Sequence, residues 1–124
     1  MVSVVKRKKA LRHIVEEWPM HVTDISPLAV GGYRYTITTP TEYLRDLDLW
    51  AQQDTETMQI KVRDYFLPQK MSVSLLHEVI HAILTTFHGG EQMPESLIES
   101  LANGFYQVII DNPKLIQYIA ESRP

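Results

Sequence analysis

The sequence predicts an α+β domain: a small antiparallel sheet packed against a helix carrying His77-Glu78-Val79-Ile80-His81, then one long and one short C-terminal helix. Three observations predict it. Residues 33–38 and 58–63 alternate apolar and polar positions, the period of half-buried strands. Residues 70–88 and 95–109 switch to three- and four-residue steps, the period of a helix with a buried face. Gly31-Gly32, Gly89-Gly90 and prolines 40, 68, 94 and 113 punctuate these stretches.

The 124 residues read as a single domain able to close a modest core. Residues 1–30 form an amino-terminal arm to which the sequence assigns no role. Within it, Lys6 to Lys9 and Arg12 run beside Ala10, Leu11, Ile14, Val15 and Trp18. The basic run reads as a nucleic-acid contact or, preferred for its apolar neighbours, as the solvated face of an amphipathic helix that Pro19 would end. Beyond Gly31-Gly32, Tyr33, Tyr35 and Ile37 alternate with Arg34, Thr36 and Thr38 in a strand reaching Pro40. Glu42 to Leu49 is polar-rich, with Leu44, Leu47 and Leu49, and reads as a helical turn or a loop. Trp50 to Gln53, then Asp54-Thr55-Glu56, then Met58, Ile60 and Val62 form a β-hairpin. Pro68 suits a first helical turn and Gly89-Gly90 its end. In that helix Val73, Leu76, Val79, Ile80, Ile83 and Phe87 make the buried face. Pro94 and Glu95 open a second buried helix marked by Leu97, Ile98, Leu101, Phe105, Val108 and Ile109. Asn112-Pro113 caps a short last helix.

Composition narrows the chemistry. A net charge of −3 points to neither nucleic acid nor a membrane surface. The absence of cysteine excludes a disulfide framework and thiolate zinc sites, so any metal must sit on histidine and carboxylate. No apolar run approaches the ~18 residues of a membrane span, and no signal peptide is visible. A cytoplasmic protein is expected.

The histidine pair carries the strongest signal. His77 and His81 lie four residues apart, one helical turn, so both imidazoles can converge on one ion. Glu78 is offset from His77 by ~100° and flanks the ion without ligating it. This HExxH spacing supplies two zinc ligands and a carboxylate able to take a proton from water. Two unpartnered imidazoles on so apolar a helix would each cost ~1–3 kcal/mol, and a shared metal is their simplest partner.

A catalytic zinc takes three protein ligands, and His88, Glu91, Glu95 and Glu99 are the candidates for the third. His88 lies ~16 Å from His77 along a continuous helix. It also fails the metzincin spacing, which needs glycine where this chain has Leu84. Glu99 is preferred, because it sits mid-helix in a polar stripe with Glu95, Asn103 and Tyr106. Glu95 is the alternative, its place in the first turn being explained by the helix dipole alone. Asn103 would orient Glu99 or else bond a neighbouring loop, and the Tyr106 hydroxyl would face a developing oxyanion or else sit satisfied in the core.

Residues 75–83 and 99–107, with Asp111-Asn112-Pro113, resemble the small zinc metallopeptidase-like proteins of phages and prophages. These are similar to the ImmA/IrrE metallopeptidases, a gluzincin-like group with HExxH on one helix and a glutamate on the next. The resemblance spans roughly residues 31–113 and implies Zn2+ on His77, His81 and Glu99, with Glu78 as catalytic base.

The expected activity is zinc-dependent hydrolysis of a peptide bond in an intracellular protein or peptide, with no nucleic-acid or membrane partner. The alternative is a non-catalytic, zinc-stabilised binding or regulatory module of a phage or mobile element.

Overall fold

The computed structural model describes residues 20–64, 67–90 and 93–122. A single 3-10 turn, Val22–Ile25, leads into β1 (Leu28–Val30) and β2 (Tyr33–Thr38). A one-and-a-half-turn helix α1 (Thr41–Asp46) precedes β3 (Ala51–Asp54) and β4 (Gln59–Val62). Helices α2 (Pro68–Phe87), α3 (Glu95–Asp111) and α4 (Pro113–Glu121) complete the described chain. The α+β architecture, with one long and one short C-terminal helix, is as the periodicity predicts. The amphipathic helix expected before Pro19 lies outside the described residues.

The sheet has four strands in the order β1-β2-β4-β3, and it is mixed. The two hairpins are antiparallel, but β2 and β4 run parallel, with Ile37 opposite Ile60. The expected antiparallel pairing holds for both hairpins and not for β2–β4, since alternation says nothing of strand direction. The crossover decides it. α1 carries the chain past the position beside β2, so β3 forms at the outer edge and the tight turn brings β4 back alongside β2. Leu44, fully buried, anchors that crossover.

The arm assigned to residues 1–30 ends in structure. Val22 and Val30 join the core, and β1 pairs with β2 across Gly31-Gly32. Gly31 takes φ +59°, the left-handed conformation a two-residue hairpin link demands at its first position.

Helix α2 lies between two layers. Towards the sheet, Met71, Leu75, Val79 and Ala82 pack on Val30, Tyr35, Ile37, Ile60 and Val62. Towards α3, Val73, Leu76, Ile80 and Leu84 pack on Ile98 and Ala102. The buried stripe expected on this helix is therefore two stripes. Ile83 and Phe87, expected in the core, are exposed. On α3 only Ile98 and Ala102 are fully buried, while Leu97, Leu101, Phe105 and Ile109 stay largely exposed. Their helical period is real, but no described element covers that side.

Gly31 meets the end of α2. A Cβ built there would lie 2.5 Å from Thr86 Cγ2, on top of the strained φ. Gly31→Ala should therefore lower stability by ~1–3 kcal/mol, measured by urea unfolding. An unchanged midpoint would mean that the hairpin does not pack on α2 as described.

Candidate metal centre

Two apolar stripes on α2 leave one polar stripe, Lys70, Ser74, His77 and His81, looking into the gap between β3 and α3. Ser74, His77, His81, Glu95 and Glu99 line an open cleft there of about 430 Å³, bordered across the gap by Trp50–Gln53. The imidazoles are one turn apart, with ring centroids 5.0 Å from each other. His77 is nearly enclosed and His81 half-buried.

Glu95, the first residue of α3, closes the group. Its Oε2 lies 2.9 Å from His77 Nε2 and its Oε1 3.0 Å from His81 Nε2. One ligand atom from each of His77, His81 and Glu95 falls within 4.8 Å of the other two, so the three can hold a metal ion. Glu99, the favoured third ligand on sequence grounds, meets the opposite side of the His77 ring: its Oε2 lies 2.9 Å from Nδ1. One helical turn separates the two carboxylates, so the first reaches the shared Nε2 face and the second grips the ring from behind. Asn103 Nδ2 donates to the Glu99 backbone carbonyl at 2.9 Å, within its own helix, and only approaches its Oε1, at 3.5 Å.

This donor set fits a divalent cation. Both ring nitrogens of His77 face carboxylate oxygens, which only accept hydrogen bonds, and a neutral imidazole has a single N–H to give. A cation held by Nε2 and Glu95 would resolve that conflict and leave Nδ1–H for Glu99, as a second ring proton would in the metal-free chain. A carboxylate behind a ligating histidine is the usual means of fixing tautomer and ring orientation. Burial pushes the His81 imidazole below its ordinary range, against an upward pull from Glu95. That favours the neutral ring a metal requires.

Glu78 is the buried charged residue of the described core, at 6% exposure. Its position 100° around α2 from His77 turns it towards β3, where it accepts a backbone hydrogen bond from Gln53. Its Oε2 lies 3.9 Å from His77 Nε2, beside the ligand group and outside it. Burial pushes its carboxyl up to about 7, aided by the Glu95 and Glu99 charges and opposed by His77 and the Gln53 bond.

Of the other residues singled out in the sequence, Tyr106 lies two turns beyond Glu99, half-buried and not among the residues lining the cleft. His88 ends α2 as its C-cap. Glu91 lies outside the described residues. What sequence reasoning undervalued is Glu95. The matching four-residue steps of His77/His81 and Glu95/Glu99 were visible, but the phase between them is set by how α3 crosses α2.

Comparison of the chain with family models, curated proteins and solved structures returns no match.

Glu95→Ala should lower the affinity for added Zn2+ or Co2+ by more than a hundredfold, whereas Glu99→Ala should lower it only ~10–100-fold. Equilibrium dialysis of the three proteins measures this. The reverse order would return the third ligand to Glu99.

Proposed function

We propose that this protein is a zinc-dependent peptidase cutting an intracellular protein or peptide, with His77, His81 and Glu95 as ligands. The observation that carries the reading is Glu78. A carboxylate buried beside a two-histidine, one-glutamate group, held by a backbone N–H and kept out of the ligand set, has the position of a general base. A metal serving only to staple α2 to α3 would leave this desolvated carboxylate without a purpose.

When bound, zinc supplies Lewis acidity for activating water and polarising a carbonyl. The protein's own groups do the rest. Glu99, through its carboxylate at Nδ1, keeps the His77 ring in one orientation. Glu78 takes a proton from the attacking water and delivers it to the departing amine nitrogen. The edge strand β3 lines the opposite wall, and its outer backbone edge, unpaired within the sheet, gives an extended peptide a place to lie. The resemblance of residues 75–83, 99–107 and 111–113 to phage-encoded ImmA/IrrE-like metallopeptidases favours the same activity, with Glu95 proposed for the ligand place that the resemblance gives to Glu99. No described helix is long and apolar enough to cross a membrane.

Glu78→Gln separates base from ligand. It should bind zinc as the wild type does and lose hydrolysis of a fluorogenic peptide mixture by ~10²–10⁴-fold. Undiminished cleavage by a zinc-loaded Glu78→Gln protein would refute the assignment of the base.

A further inference from the structure

The cleft has a second charged end. Lys70 sits on the same polar stripe as the histidines, seven residues before His77, which is about 10 Å along α2. It is the one lysine or arginine among the described residues lining the cleft. Its Nζ lies 5.1 Å from the centre of the Trp50 ring, and Trp50, half-exposed, lines the facing wall. Arg63 braces this wall: its Nε donates to the Leu49 carbonyl at 2.6 Å and its guanidinium lies 4.1 Å over the same ring. Lys61, by comparison, pairs with Asp54 at 3.6 Å. Lys70 makes no ion pair with any described residue, Asp48 at the same end of the cleft included.

The helix does not favour a cation there. Lys70 is the third residue of α2, in the first turn, where positive charge opposes the macrodipole. A cation set against the dipole, held over an aromatic ring and directed into a cleft whose other end carries three carboxylates, has its natural counterpart in a ligand.

We infer that Lys70 and Trp50 form a subsite for a carboxylate of the substrate. An extended peptide covers 10 Å in about three residues, so the recognised group lies about three positions from the bond that is cut. It is an acidic side chain or the peptide's own C-terminal carboxylate. The opposite polarity of the two ends of the cleft would then fix the direction in which a peptide lies. The inference rests on reading the metal centre as a peptidase site.

The test uses the full chain loaded with zinc and a mixture of synthetic peptides, each as free acid and as C-terminal amide, with cut sites read by mass spectrometry. Acidic residues should be enriched about three positions to one side of the cut, or else free acids should be cut and amides spared. Exchanging the recognised Glu for Gln should lower kcat/KM roughly tenfold. Lys70→Glu should reverse the preference to Lys or Arg at that position with zinc content unchanged. No acidic or terminal preference in the wild type, or a preference that survives Lys70→Glu, overturns the subsite.

If the zinc-loaded wild type cuts nothing, the peptidase reading fails on its own account. The same peptides titrated against tryptophan emission then judge the subsite. Roughly tenfold weaker binding of the Gln forms, reversed in Lys70→Glu, upholds it; equal or absent binding overturns it.

Discussion

Helix α2 is packed on two sides at once, and the candidate site follows from that constraint. Met71, Leu75, Val79 and Ala82 are committed to the sheet, and Val73, Leu76, Ile80 and Leu84 to α3. Around a helix turning 100° per residue, these two stripes leave one polar sector over the gap between the layers. His77 and His81 occupy it, and Glu78 falls at its sheet-side margin, which is why it is buried while His81 stays half-open. The small side chains Ala82 and Ala102, both fully buried, let the layers close on the helix. Geometry at the histidines is thus inherited from the core.

Electrostatics then sets what the gap can accept. Glu78, Glu95 and Glu99 gather around two imidazoles, and the His77 ring is contacted by carboxylates on both nitrogens. Mutual repulsion among the acids is part of what raises the Glu78 carboxyl. A divalent cation held by His77, His81 and Glu95 would relieve that repulsion and would leave Glu99 its hydrogen bond from Nδ1. The same ion would join the start of α3 to the middle of α2, so metal binding and the seating of α3 are coupled.

Most of the element plan was legible because hydrophobic period reports element type directly. The strand at 33–38, the hairpin around Asp54-Thr55-Glu56, and both long helices with their proline starts are where the pattern puts them. What period cannot report is direction and phase. The parallel β2–β4 pairing depends on where α1 delivers the chain, and β1 is too short, at three residues, to alternate visibly. Leu97, Leu101 and Phe105 have a core-like period yet lie largely exposed, because period marks an apolar face without saying whether anything covers it. At the site, His77, Glu78 and His81 were fixed by local spacing alone. Which His77 nitrogen each of Glu95 and Glu99 meets was not, because the two differ by one turn of a separate helix whose crossing over α2 no local pattern encodes.

The central claim is that the Nε2 atoms of His77 and His81 and the Glu95 carboxylate share one ion while Glu99 holds His77 through Nδ1. Histidine side-chain 15N spectra of the full chain, recorded before and after one equivalent of zinc, test it most directly. The account predicts that the Nε2 signals of His77 and His81 alone move to metal-bound positions, with His77 Nδ1 keeping its proton. Histidine spectra unchanged by zinc, or His77 bound through Nδ1, would contradict it.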